Sequence, residues 1–346
     1  MYYQVIPTKI FRQDLHALES LLTYSFPEEL RSGQIVLIPL GKSIIPGIIH
    51  HSINPPKDPS FQIKPISSVL PLPPLPDHLL QAATWLSQYY LTPLPIIANL
   101  LIPKGITKDR RKKSAPSRLE NKAIPKTIPL NSSQKTALTD LNNLKSHTKL
   151  LHGITGSGKT NLYLTLAMNQ FQKQQSSIIL VPEISLTSQL VQQFQLYFPN
   201  SVITIHSKQT EATRHQIWQY IAKSTDPLII IGPRSALFSP VSNLGLIIID
   251  EAHDPAYYQD NPPRYSTLRL ASFIANTKNI DCIYGTATPL IEDFYLAQKN
   301  HAYVSLSQKA KETAITPDLH LIDLRDSASF SKNRYFSDPL IKKITQ

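Results

Sequence analysis

Cysteine is almost missing from this sequence, which has only Cys282 among its 346 residues. Disulfide frameworks and multi-cysteine zinc sites need several cysteines, so both are excluded and we expect no zinc site. No run of 18 or more apolar residues is present, so we predict no membrane span. The N-terminus lacks the charged start and long apolar stretch of a signal peptide, and we find no internal repeats. These absences favour a cytoplasmic protein without a membrane partner.

Positive charge, by contrast, is abundant and concentrated in one segment. The formal net charge of the chain is +11. Residues 104–126 carry nine Lys or Arg side chains against two acids, a local charge of +7. Such a cluster attracts polyanions by releasing their condensed counterions. A solvated linker without a partner explains the charge equally well, so both interpretations stay open.

The length and the changes of composition predict two domains of an α/β protein. Residues 1–103 are strand-rich, with a hairpin around Gly41-Lys42-Ser43 and then a helix within 76–94 that has Asp77 as its N-cap. Residues 104–128 are basic, polar and proline-containing, which is typical of a linker. From residue 129, apolar runs alternate with helical stretches, which predicts a parallel sheet covered by helices. The expected strands contain residues 149–151, 178–181, 202–205, 228–231, 246–249 and 282–284.

A glycine-rich motif at 153–160 predicts a phosphate site. It fits G-x-x-x-x-G-K-[ST], a loop whose backbone N–H groups surround phosphate oxygens. The helix that begins near its end adds the positive end of its dipole. Lys159 is expected to reach the β/γ phosphates, and Thr160 to bind Mg²⁺ through its hydroxyl. The predicted ATP-binding loop is Gly153, Ile154, Thr155, Gly156, Ser157, Gly158, Lys159 and Thr160.

The stretch "LGLIIIDEAHD" predicts a fully apolar strand that ends in Asp250-Glu251-Ala252-His253. We expect Asp250 to hold Mg²⁺ through its water shell and Glu251 to orient or deprotonate the attacking water. We interpret His253 as a link to neighbouring motifs rather than as a metal ligand. Lys159, Asp250 and Glu251 are therefore the predicted catalytic residues.

A third motif, "YGTATPL", follows at 284–290. It is another strand that ends in small residues: Gly285, Thr286, Ala287 and Thr288. We expect Thr286 and Thr288 to hydrogen-bond back to the acidic strand end and to sense the γ-phosphate. The motif is weak alone and strong as the third of an ordered series.

The series GSGKT, DEAH, GTAT resembles lobe 1 of superfamily 2 helicases. Five further segments resemble the family of the PriA replication-restart helicase, also called primosomal protein N′. They are "LTYSFPEELRSGQIVLIPLGKSIIPGII", "WLSQYYLTPL", "VPEISLTSQL", "GPRSALFSP" and "DEAHDPAYYQDNPPRYSTLRLA". The resemblance implies a β-rich 3′-end DNA-binding domain over 1–103 and a RecA-like P-loop lobe over 129–320.

The resemblance also implies a function. That family couples ATP hydrolysis to 3′→5′ unwinding of DNA at stalled forks and helps to reload the replicative helicase. The implied partners are forked and single-stranded DNA, primosome and helicase-loading proteins, and single-strand-binding protein.

Further site residues follow from the resemblance alone. Gln134 corresponds to a glutamine that reads adenine, although an exposed polar residue near a helix start is the alternative. Arg234 and Ser235 correspond to residues that track the DNA backbone, and Lys42 is a further implied DNA contact. Four residues match an aromatic-rich loop that links single-strand contact to hydrolysis, since bases stack on rings and guanidinium groups. They are Tyr257, Tyr258, Arg264 and Tyr265, and a loop that packs on its own domain is the alternative.

The chain departs from the family pattern in three places. Only residues 104–128 stand where the family carries a winged-helix module. Leu22-Thr23-Tyr24 stands where the family often has Phe-Asp-Tyr, which leaves recognition of a free 3′-hydroxyl open. Residues 321–346 resemble the approach to a second lobe, and neither that lobe nor its arginine finger can be assigned. Two hypotheses follow: a DNA helicase, or a catalytically silent module that binds branched DNA, recruits the primosome and uses ATP as a switch.

Overall fold

The computed structural model describes residues 1–9, 20–56, 62–107, 128–182, 188–310 and 319–345. Most of the predicted basic linker, 108–127, lies outside the described residues. The chain forms two compact units, Met1–Ala310 and Lys311–Gln346.

The N-terminal part of the first unit is a β-rich domain. Its described strands form a six-stranded sheet in the order β5-β2-β1-β4-β3-β6, followed by two helices. The elements are β1 (Tyr2–Pro7), β2 (Leu22–Ser25), β3 (Ile35–Leu40), β4 (Ser43–Ile53), β5 (Lys64–Pro65), β6 (Ser68–Val69), α1 (Asp77–Tyr89) and α2 (Leu94–Leu101). Strands β3 and β4 form the predicted hairpin, with Leu40 opposite Ser43 and Gly41 at φ +60° in the turn.

One prediction in this domain is wrong. The N-cap of α1 is Pro76, which makes no side-chain cap hydrogen bond, and Asp77 is the first helical residue. The extended backbone of Pro76 already ends the preceding segment. In the first turn, the Asp77 carboxylate still interacts favourably with the helix dipole.

The second part of the first unit is a RecA-like parallel-sheet lobe. Its described strands form a seven-stranded sheet in the order β15-β7-β14-β11-β8-β10-β9, and all its neighbouring pairs are parallel. The strands are β7 (Thr148–Gly153), β8 (Ser176–Leu180), β9 (Val202–Thr204), β10 (Ile229–Gly232), β11 (Leu244–Asp250), β14 (Asp281–Thr286) and β15 (Tyr303–Leu306). Six of them confirm the predicted strands, and β15 is additional.

Helices cover this sheet, as the alternating pattern predicts. They are α3 (Ser132–Asn143), α4 (Lys159–Gln172), α5 (Ser188–Tyr197), α6 (Glu211–Lys223), α7 (Thr267–Lys278) and α8 (Ile291–Lys299). A two-stranded hairpin of β12 (Tyr258–Gln259) and β13 (Tyr265–Ser266) follows the acidic end of β11. The inner strands β8, β10 and β11 are almost completely buried, which explains their apolar runs. The edge strands β9 and β15 are partly exposed.

In the described residues 319–345 of the second unit, a short 3₁₀ helix, Ser327–Phe330, precedes α9 (Asp338–Ile344). The Asp338 carboxylate accepts hydrogen bonds from the Ser331 and Lys332 amides. Across the described parts of both units, the helices are too short or too polar to cross a membrane.

Candidate functional site

The predicted phosphate loop lies between β7 and α4. Gly156 and Gly158 both adopt φ +78°, a conformation that side chains rarely tolerate, and Gly158 is the N-cap of α4. The Lys159 ammonium donates to the Gly153 carbonyl at 2.8 Å, so its positive charge lies against the loop. A helix N-terminus next to an ammonium group is an environment that favours an anion.

Two details show that the loop fits a phosphate group. The Ser157 hydroxyl is buried and has no hydrogen-bond partner among the described residues. A Cβ at Gly153 would lie 2.8 Å from that hydroxyl and 3.0 Å from the Lys159 Cγ. The loop therefore leaves no room for a side chain at Gly153, and it carries a buried hydroxyl that a bound phosphate oxygen would satisfy.

Gln134 closes one side of this loop. It is 2% exposed, and its amide nitrogen donates to the Ser157 carbonyl at 3.0 Å and to the Gly158 carbonyl at 3.4 Å. Its amide oxygen accepts from the Asn131 backbone at 3.0 Å, in a capping box that begins α3. The alternative of an exposed polar residue is therefore wrong. Both ends of the side chain contact protein, and adenine recognition stays a prediction.

Asp250 ends β11 and is held by two tyrosines. Its Oδ1 accepts from the Tyr163 hydroxyl at 2.9 Å, and its backbone carbonyl accepts from the Tyr257 hydroxyl at 2.6 Å. Burial raises the pKa of the Asp250 carboxyl, whereas the Tyr163 hydrogen bond and the nearby Lys159 charge oppose that rise. Burial also raises the pKa of Tyr163 well above its usual value, so this tyrosine remains a donor.

The remainder of the acidic motif contacts the third motif. Strand β11 pairs with β14 so that Asp250 is opposite Gly285. His253 Nδ1 lies 2.7 Å from the Thr286 hydroxyl and 3.5 Å from the Glu251 carboxylate. Glu251 itself has φ +48°, which is unusual for a residue with a side chain. The structure thus brings the three predicted motifs to the carboxyl ends of β7, β11 and β14.

Within the third motif, the residues make different contacts. Thr286 is 1% exposed, and its hydroxyl accepts from the Thr288 amide at 3.1 Å. The Ala287 carbonyl lies 3.1 Å from His152 Nε2. The contact between the motifs is therefore carried by Thr286, and Thr288 contributes its backbone.

The residues expected to contact DNA differ in how exposed their side chains are. Tyr258 is 47% exposed, whereas Tyr257 and Tyr265 are 1% and 4% exposed. Buried rings offer no free face to a base. Tyr257 and Tyr265 therefore pack within their own domain, as the packing alternative predicted. Arg234 also contacts protein, because its guanidinium donates to the carbonyls of Ala256 and Tyr258 at 2.8 and 2.9 Å.

Lys42, Ser235 and Arg264 are exposed. Lys42 lies in the turn between β3 and β4, and Ser235 lies in a 3₁₀ helix, Arg234–Phe238. Arg264 donates through Nε to the Asp260 carbonyl at 2.9 Å. These three residues remain accessible for the predicted contacts with DNA.

The predicted Mg²⁺ site has two candidate protein ligands, Thr160 and Asp250. No cluster of three or more His, Cys, Asp or Glu able to hold a metal is present in the part of the chain that the structure describes. Thr160 and Asp250 are oxygen donors, the type that Mg²⁺ prefers, and a Mg²⁺ ion held with a nucleotide takes further oxygens from phosphates. The two residues therefore fit a Mg²⁺ ion that arrives with a nucleotide.

Three contributing residues were missed from the sequence. Tyr163 lies four residues after Lys159 on α4, so helical spacing places both on one side of the helix, and this signal could have found it. His152 contacts the Ala287 carbonyl, and the Tyr90 hydroxyl accepts a hydrogen bond from the Ser266 amide. Both contacts join segments that are distant in the sequence. No local pattern indicates such contacts.

Comparison with known proteins agrees with this geometry. A family profile described as 3′DNA-binding domain (3′BD) matches residues 12–103, and one described as DEAD/DEAH box helicase matches residues 131–294. The replication restart protein PriA of Bacillus subtilis is 34% identical over 253 residues, 71% of this chain and 31% of that protein.

Two other relatives extend the comparison. PriA of Rickettsia conorii is 32% identical over 93% of this chain and 49% of its own length. PriA of Chlamydia muridarum is 40% identical over 58% of this chain and 27% of its own length. The chain thus spans half or less of the length of these relatives. It belongs to the PriA family of replication restart proteins and corresponds to an N-terminal portion, in which a 3′ DNA-binding domain precedes a DEAD/DEAH box helicase lobe.

Proposed function

We propose that this chain is the ATP-binding portion of a DNA helicase that acts in replication restart in the cytoplasm. One observation carries the proposal: the phosphate loop, the acidic motif and the threonine motif meet at adjacent strand ends. Two direct contacts link the last two, because Asp250 pairs with Gly285 and His253 bonds to Thr286. A nucleotide bound at this place would touch groups from all three motifs.

Each side chain then has a distinct role. Lys159 would exchange its bond to the Gly153 carbonyl for the β/γ phosphates, and Thr160 and Asp250 would hold a Mg²⁺ ion. A bound ion would supply neutralisation of phosphate charge. Glu251 orients the attacking water and accepts its proton. His253 and Thr286 report the state of the γ-phosphate to the rest of the lobe.

The proposed substrates are forked and single-stranded DNA, unwound with 3′→5′ polarity. Exposed Tyr258 and Arg264 at the hairpin suit unpaired bases, because rings and guanidinium groups stack on any base. Lys42 and Ser235 would contact the phosphate backbone. Primosome proteins, replicative-helicase loaders and single-strand-binding protein are the proposed protein partners.

The second candidate is a binding module that uses ATP as a switch without hydrolysis. NTPases of this kind gain about 10³–10⁵ in rate from an arginine finger, which the superfamily supplies from its second lobe. No residue of this chain is assigned that role. If the candidate holds, ATP and DNA binding persist without turnover.

The deciding measurement is ATP hydrolysis by the 346-residue chain with and without single-stranded or forked DNA. DNA-stimulated turnover that Glu251→Gln abolishes and Glu292→Gln retains would support a motor, since Glu292 is an exposed acid elsewhere on the lobe. Binding without turnover would favour the switch. Lys159→Ala should lose ATP binding, and Lys173→Ala, which changes an exposed lysine, is the control. If Lys159→Ala binds ATP as tightly as Lys173→Ala and the unmodified chain, the proposed nucleotide site is wrong.

A further inference from the structure

Three contacts attach the hairpin of β12 and β13 to the rest of the helicase lobe. Arg234 donates to two carbonyls at its base, Ala256 and Tyr258. The ring of Phe238 meets Tyr265 edge-on, with centroids 5.7 Å apart. At the start of the hairpin, the buried Tyr257 hydroxyl donates to the Asp250 carbonyl. A displacement of the hairpin base would therefore disturb the end of the strand that carries Asp250.

The N-terminal domain provides a fourth attachment. The hydroxyl of Tyr90, the residue just after α1, accepts a hydrogen bond from the Ser266 amide at 3.0 Å. Ser266 is the last residue of β13 and also the N-cap of α7. The bond joins the 3′ DNA-binding domain to the returning strand of the hairpin.

Tyr90 packs edge-on against a column of stacked rings, with its ring centroid 4.9 Å from that of Tyr89 and 6.1 Å from that of Trp85. Tyr89 stacks on Trp85 with centroids 4.9 Å apart and an interplanar angle of 18°. Trp85 stacks in turn on Phe273 of α7, at 4.9 Å and 16°. Offset or stacked aromatic pairs add stability beyond their buried area. The stacking therefore connects the end of α1 to the helix that begins directly after the hairpin.

The N-terminal domain also contacts the segment that holds the hairpin through Arg234 and Phe238. Helix α2 packs against the 3₁₀ helix that carries Arg234 and Phe238. Close by, the buried Trp218 indole donates to the Leu101 carbonyl at the end of α2 at 2.9 Å. The N-terminal domain thus touches the segments on both sides of the hairpin.

We infer that the 3′ DNA-binding domain sets the position of the hairpin, with Tyr90 as the positioning residue. Through the bond of Tyr257 to the Asp250 carbonyl, that position is transmitted to the end of β11. The inference deepens the proposed function, on which its consequence for DNA and ATP rests. DNA bound to the N-terminal domain would then bias hydrolysis without contacting the nucleotide, since a ligand shifts an equilibrium by its different affinity for the two states.

Tyr90→Phe is the sharpest variant, because it removes the acceptor and keeps the ring. Tyr89→Phe is the matched control, since the Tyr89 hydroxyl makes no hydrogen bond to the residues that the structure describes and its side chain is 56% exposed. The first measurement is amide hydrogen exchange across 255–266 in the full chain without ligand. We expect about two- to tenfold faster exchange in Tyr90→Phe, the range for removal of one hydrogen bond, and no change in Tyr89→Phe. Equal exchange in all three proteins would overturn the inference.

The second measurement tests the transmission. Its readout is the ratio of ATP turnover with a single-stranded oligonucleotide to turnover without it. We expect this ratio to fall about two- to tenfold in Tyr90→Phe, with unchanged oligonucleotide affinity by fluorescence anisotropy and an unchanged melting temperature. A ratio equal to that of the unmodified chain would overturn the transmission. If no protein hydrolyses ATP, the proposed motor fails, and hydrogen exchange alone decides whether Tyr90 positions the hairpin.

Discussion

The Tyr163 hydroxyl donates a hydrogen bond to Asp250 Oδ1 at 2.9 Å. Tyr163 lies one helical turn after Lys159 of the phosphate loop, so the bond connects the first motif directly to the second. Burial keeps Tyr163 protonated, and the carboxylate therefore has a fixed donor on one oxygen. The Glu251 backbone donates to the same carboxyl, and the lone pairs that these two donors leave would face the proposed Mg²⁺ ion and its water shell.

Tyr163→Phe should weaken binding of the Mg²⁺–nucleotide complex by about ten- to hundredfold, because a hydrogen bond to a charged group contributes about 1.5–3 kcal/mol. Binding of nucleotide in EDTA should change much less. Calorimetric titration with a non-hydrolysable ATP analogue, with and without Mg²⁺, measures both. Tyr220→Phe serves as the control, since that ring is 45% exposed. An equal weakening with and without Mg²⁺ would contradict the role given to the bond.

Gly285→Ala should destabilise the lobe by about 1–3 kcal/mol, the usual cost of overpacking a core. A Cβ at Gly285 would collide with the Tyr163 hydroxyl, which is fully buried and cannot move aside. Gly41→Ala is the control, because its Cβ would meet nothing within 4 Å, although φ +60° strains it. Urea denaturation of both variants provides the comparison. A smaller destabilisation in Gly285→Ala than in Gly41→Ala would refute the collision.

The free energy of unfolding should fall in weak acid because of His78. Its ring is buried, neither ring nitrogen has a partner among the described residues, and burial, helped by Lys278, lowers its pKa to about 3. The unfolded chain binds a proton near pH 6.5 and the folded chain does not, so stability is lost as pH falls below 6.5. The slope for one such group is about 1.4 kcal/mol per pH unit, or about 2 kcal/mol between pH 6.5 and pH 5.

Urea denaturation at pH 7 and at pH 5 measures this decrease in stability. His78→Leu should reduce it by about 2 kcal/mol. His301→Asn alters an exposed imidazole instead and should leave the decrease unchanged. If His78→Leu and the unmodified chain are destabilised equally by the change of pH, His78 is not the group responsible.

Neutralising four charges of the basic segment should flatten the salt dependence of DNA binding. Removing one phosphate contact reduces the slope of log K against log salt by about 0.7–0.9, so removing four would reduce it by about 3. The variants change Arg110, Arg111, Lys112 and Lys113 to Gln. The control changes four exposed lysines of the helicase lobe: Lys135, Lys145, Lys173 and Lys223. Fluorescence anisotropy at several salt concentrations measures the slope, and an equal effect of both sets would mean that the segment has no special contact with phosphate.

The sequence predicted the elements whose pattern is local. Apolar runs identified six of the parallel strands. In the inner strands β8, β10 and β11 the run follows from burial, because a strand buried on both faces needs no polar residue. The extra strand β15 escaped, since "YVSL" is short and mixed. Likewise, the two buried tyrosines of the hairpin cannot be distinguished from the exposed Tyr258 by residue type.

At the site, the motifs predicted which residues meet but not how each is held. The spacing of Lys159 and Asp250 indicated a shared nucleotide site, whereas the bond of Gln134 to the Ser157 carbonyl depends on how α3 packs against the loop. Tyr90 is more distant still, since 176 positions of sequence separate it from Ser266. Contacts of this kind depend on the tertiary structure, and no residue pattern near either partner indicates them.

The chain has two tryptophans, and both lie where the DNA-binding domain meets the helicase lobe. Trp85 stacks on Phe273, and the Trp218 indole bonds to the Leu101 carbonyl. The protein therefore carries its own optical reporters of this contact. Any event that separates the two parts would expose one or both indoles to water and change their fluorescence, without a label and without interference from a tryptophan elsewhere.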